Sequence, residues 1–75
     1  MWYKLIGIEE KPFDFNGHKG ITCFLHFTYE DSIKGSGEFT LKKKYKGDRL
    51  GSDAIGLSYL LYYDAYGNVV KLEEV

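Results

Sequence analysis

From Ile21 to Glu30 apolar and polar side chains alternate along the chain. Ile21, Cys23, Leu25, Phe27 and Tyr29 share one parity, and Thr22, Phe24, His26, Thr28 and Glu30 share the other. Such alternation predicts a strand whose odd-numbered side chains face a core and whose even-numbered ones face water. Residues 2–10 predict an earlier strand with apolar residues in both parities, Trp2, Ile6 and Ile8 against Tyr3 and Leu5. Pro12 is expected to end that strand or to mark it as an edge, because proline cannot donate to a ladder. Glu38 to Lys44 reads as a third strand, with Phe39 and Leu41 inward and Thr40 and Lys42 outward. Ile55 to Tyr63 reads as a fourth with apolar side chains on both faces, as in a strand covered on both sides, and Val69 to Glu73 as the last. The segment Lys42–Arg49 also admits one helical turn.

Asn16-Gly17 is the strongest hairpin signal in the chain, since both residues tolerate positive φ. Asp31–Gly37 and Gly47–Asp53 have loop chemistry, and Asp64-Ala65-Tyr66-Gly67-Asn68 is a short connection between the last two strands. No window long enough for a stable helix shows a helical period. An open sheet of five such strands would leave two unpaired edges, and closing it removes them. The expected fold is all-β: a small five-stranded barrel, OB-like, with an SH3-like barrel as the alternative. Residues 1–75 are expected to form one domain.

A chain this short hides only about 60% of the surface its unfolded form exposes. Seven Tyr, five Phe and one Trp supply the bulk of a core. They also exceed what so small an interior can hide, so some rings are expected at the surface, where pairing into a homodimer would cover them. The single cysteine, Cys23, permits no intrachain disulfide and fits a reducing compartment. No apolar run is long enough to span a membrane, and Met1-Trp2-Tyr3-Lys4 lacks the plan of a signal peptide. The expected location is the cytoplasm.

Net charge is −1, which alone argues against strong electrostatic capture of nucleic acid. The distribution changes that picture. Lys34 to Arg49 holds six basic residues against two acids, and the remainder holds four against nine. The chain therefore has a basic middle and acidic ends.

No catalytic constellation can be assembled, and the chain reads as a non-enzyme. Cys23 and His26 have opposite parity on one strand, so they cannot converge on a metal. His18 has no ligand partner at a useful spacing, and no metal or cofactor is expected. Ser52, Asp53 and a histidine lack any motif that would place them as a nucleophile and its base. Glu9-Glu10, Glu30-Asp31 and Glu73-Glu74 read as solvated acids, or as an acidic patch for a basic partner. Gly35-Ser36-Gly37 is too short to cradle a phosphate.

The remaining signal is basic and aromatic. Binders of single-stranded nucleic acid combine a positive groove with exposed rings on which bases stack. Lys42, Lys43, Lys44, Tyr45 and Lys46 place a ring within a run of ammonium groups; Arg49 follows. Tyr66 is expected at a loop tip, and Phe24 shares the outward face of the clearest strand with His26. The same lysines also suit a solvated edge that discourages aggregation.

The layout resembles the small OB-fold single-stranded-DNA-binding proteins of phages, including the filamentous-phage type. The shared features are the Met-x-x-Lys-Leu-Ile start, the turn Asn16-Gly17-His18-Lys19-Gly20, Cys23 within the second strand, and the closing segment Tyr63-Asp64-Ala65-Tyr66-Gly67-Asn68-Val69-Val70. The Leu-Ile-Gly-Ile start and the Tyr-x-x-Tyr-Gly-Asn-Val ending are also similar to small proteins of phages and mobile elements in Gram-positive bacteria. The likeness is one of pattern across most of the chain. It departs in its arginine content, since Arg49 is the sole arginine. The resemblance implies a dimeric barrel binding single-stranded DNA. On this reading Lys42, Lys43, Lys44, Lys46 and Arg49 screen phosphates, and Tyr45, Tyr66 and Phe24 stack bases. The alternative is a protein-interaction module, such as a phage-encoded inhibitor of a host protein.

Overall fold

The computed structural model describes all 75 residues. Five strands, β1 (Tyr3–Phe15), β2 (His18–Glu30), β3 (Glu38–Tyr45), β4 (Ser58–Tyr63) and β5 (Val69–Glu74), carry the chain, with one 3₁₀ turn at Ser52–Ala54. They close into a barrel in the order β1-β2-β3-β5-β4, β4 returning to β1. Every neighbouring pair is antiparallel except β3–β5. Insertion of β5 between β3 and β4 makes this an OB-like Greek-key barrel and not the SH3-like alternative.

The two closing seams are short. Tyr45 pairs with Val69, and Lys46 N–H donates to the Val69 carbonyl at 2.8 Å. Tyr3 pairs with Tyr59 and Lys4 with Ser58. Leu5 extends that second seam, its N–H donating to Leu57 O and its carbonyl accepting from Gly56 N–H.

A bulge resolves the mixed parity of the first strand. The β1–β2 register shifts between Leu5 and Gly7, so Ile6 is the extra residue. Leu5 is fully buried before the bulge and Ile8 packs against the core after it. The shift re-phases the strand, so that Glu9, Lys11, Phe13 and Phe15 emerge on the outer face.

The core is Leu5, Leu25, Phe27 and Val69, all fully buried, together with the rings of Tyr45 and Tyr59. Each buried phenol finds a carbonyl: Tyr45 Oη donates to Asp48 O at 2.6 Å and Tyr59 Oη to Ala54 O at 2.9 Å. These two bonds pin the long β3–β4 connection over the barrel. Gly47 is required there, because a methyl group would collide with the Val70 carbonyl and the Tyr45 hydroxyl. At the opposite end Tyr3, Tyr29 and Phe39 stack in sequence, their centroids 5.2 and 5.9 Å apart, and Tyr3 meets Phe27 edge-on at 6.1 Å.

Several sequence expectations change at their boundaries. β1 does not stop near Pro12 but runs to Phe15. In this stretch β1 has β2 on one side and no strand on the other, so a missing N–H is tolerated. The Asn16-Gly17 turn forms as expected, both residues at positive φ (50° and 79°). β3 ends at Tyr45 opposite Cys23, so the β1–β2 ribbon beyond Cys23 projects past the barrel as an arm. The molecule is accordingly elongated, 46 × 25 × 20 Å. Ile21, expected in the core, lies on this arm and is 64% exposed. Lys42–Arg49 forms no helical turn. Ile55–Leu57 belongs to the connection and not to β4, with Gly56 at a φ of 96°.

Candidate nucleic-acid interface

Register decides which side chains meet. The two-residue turn sets Phe15 opposite His18, and counting back places Phe13 opposite Gly20, Lys11 opposite Thr22 and Glu9 opposite Phe24. Across the other side of β2, Phe24 faces Lys44 and His26 faces Lys42. Cross-strand partners share a face. The outer wall of β1–β2–β3 thus gathers Glu9, Lys11, Phe13 and Phe15 from β1, Phe24 and His26 from β2, and Lys42 and Lys44 from β3.

At its centre the Phe24 ring is half-buried between two ammonium groups. Lys42 Nζ is 4.6 Å and Lys11 Nζ 5.6 Å from its centroid. Cations at this distance are held by the negative ring face. Further out, the Phe13 ring lies across Gly20, where a β-carbon would fall 2.6 Å from Phe13 Cζ. Phe15 at the arm's tip is 70% exposed. The wall is bounded at the other end by Glu30 and Glu38, which sit directly opposite one another.

The sequence-nominated residues do not share one face. Lys42, Lys44 and Phe24 come together on the outer wall. Lys43 points the other way, pairing with Leu25, and its Nζ sits 5.6 Å from the Tyr63 ring. Tyr45 is a correction: its ring is 8% exposed and belongs to the core, because odd-numbered positions of β3 face inward. Lys46 and Arg49 line a cleft of about 410 Å³ with Ile8, Glu10, Ile21 and Cys23, Arg49 reaching Glu10 at 3.5 Å, while Lys46 also borders a second hollow with Phe13, Thr22 and Lys44. Burial pushes the Cys23 thiol above its ordinary range, so it is not an activated nucleophile.

Tyr66 occupies the tip of the β4–β5 loop and is 88% exposed. Asp64 builds that loop by accepting from the N–H groups of Tyr66 and Asn68 and from the Asn68 amide; these hydrogen bonds, the Asn68 side chain's foremost, hold its carboxyl below the usual range. The loop and the β1–β2 arm flank the same end of the barrel, since Tyr45 pairs with both Cys23 and Val69.

Sequence reading passed over Lys11, Phe13 and Phe15. Comparison with protein-family models, curated proteins and solved structures finds no match to this chain.

Proposed function

We propose that this protein is a non-catalytic module that binds single-stranded nucleic acid along the outer wall of β1–β2–β3. The supporting observation is the Phe24 ring flanked by Lys11 and Lys42, with Lys44 as its cross-strand neighbour. A base stacked on such a ring brings its phosphates to the ammonium groups beside it. OB-like barrels bind oligonucleotides on the face of strands 2 and 3 and with the loops that join strands 1–2 and 4–5. Here those features are the wall, the arm with Phe13 and Phe15, and the loop bearing Tyr66. The resemblance to phage single-strand binders points the same way.

Titration with oligo-dT, followed through Trp2 and tyrosine emission, tests this. Quenching at micromolar concentration is expected, with affinity falling as salt rises. Absence of any response at low salt would contradict the proposal.

A protein partner, such as a host protein, is the second reading. It is favoured by Ile6, Ile55 and Leu57, exposed aliphatic residues brought together by the Leu5 hydrogen bonds to Gly56 and Leu57. The same patch would serve a homodimer.

A further inference from the structure

Three bases converge on one carboxylate beside Phe24. Glu9 Oε1 lies 3.1 Å from His26 Nε2 and 3.3 Å from Lys42 Nζ, and Glu9 Oε2 lies 3.4 Å from Lys11 Nζ. The bases come from three different strands, so the sheet itself fixes their spacing. Two of them also hold the Phe24 ring. A phosphodiester presents two non-bridging oxygens sharing one negative charge. It therefore accepts from the same donor set that a carboxylate does.

We infer that Lys11, His26 and Lys42 form a phosphodiester subsite next to the Phe24 stacking position, and that Glu9 fills it as an internal anion when no strand is bound. This rests on the proposed function. The charged and titratable groups facing the subsite are Glu9 and Lys11 from β1, His26 from β2, and Lys42 and Lys44 from β3. Glu9 is the only acid among them, and its carboxyl is lowered to about 2, chiefly by His26. In the free protein Glu9 keeps the cations aligned and masks them. An arriving phosphate must take its place, so Glu9 lowers affinity while keeping the site organised.

Glu9→Gln preserves the shape and removes the competing charge. Its affinity for oligo-dT is expected to rise roughly tenfold at low salt, the gain shrinking as salt screens the wall. Adding Lys42→Gln to that variant should cancel the gain. If wild type binds and a folded Glu9→Gln binds equally or more weakly, the subsite assignment is wrong while nucleic-acid binding stands. If neither binds, both are wrong. Should Glu9→Gln fail to fold, the Glu9 carboxyl ¹³C shift in wild type decides the matter. Saturating oligo-dT is expected to move its pKa from about 2 back towards the ordinary 4.5, and an unchanged value would overturn the inference.

Discussion

Phe24 and Tyr45 are both aromatic and flanked by lysines in space or sequence, yet their strand parity gives them opposite roles. Phe24 looks outward, so Phe24→Ala should weaken oligo-dT binding by about 1–3 kcal/mol, the worth of one stacked base, with little change in the urea midpoint. Phe27→Ala removes a fully buried ring and should cost about 3–5 kcal/mol in the same unfolding measurement. Tyr45→Phe deletes only the hydrogen bond to Asp48 O, at a cost of about 1 kcal/mol, and should leave oligo-dT affinity unchanged. Glu9 adds a pH dependence. Its folded pKa of about 2 lies below the ordinary 4.5, so its ion pairs contribute stability above pH 4.5 that is lost as pH falls towards 2. Urea midpoints of wild type and Glu9→Gln should therefore differ at pH 6 and converge near pH 2.

The arm is the element most separable from the rest. β3 begins pairing with β2 at Cys23, so residues 12–21 pair with no strand other than each other. Replacing them by a two-residue Asn-Gly turn between Lys11 and Thr22 should leave a folded barrel, read by circular dichroism. Oligo-dT affinity should fall with the loss of Phe13 and Phe15. Much of this element was legible beforehand: alternation located β2, and Asn16-Gly17 located its turn. That turn also implies the pairing of Glu9 with Phe24, since a two-residue loop leaves no freedom of register. The bulge at Ile6 was not legible. Without it, the burial of both Leu5 and Ile8, which differ in parity, could not be assigned. Tyr45 was misplaced for a related reason: a run of lysines suggests exposure, whereas the residue is set by the period of β3. Lys46 and Arg49 follow the end of β3, where strand parity no longer governs direction.

At the scale of the molecule, the net charge of −1 is unevenly spread: three lysines cluster at one place on a wall that also holds Glu9 and ends at Glu30 and Glu38. The outer wall of β1–β2–β3 carries Lys11, Lys42 and Lys44 around Phe24, while Glu73 and Glu74 lie on β5 across the barrel. Binding through three lysines predicts a modest salt dependence, log K falling with log salt at a slope of about −2 for a single strand. A slope near zero would mean that the phosphates are not engaged. The most direct measurement is the mapping of oligo-dT contacts by backbone amide chemical shifts. Perturbations concentrated at Lys11, Phe24, His26, Lys42 and Lys44, extending to Phe13 and Phe15, are the predicted result. Shifts confined to the cleft around Cys23 and Arg49, or to the Ile6–Ile55–Leu57 patch, would contradict the account.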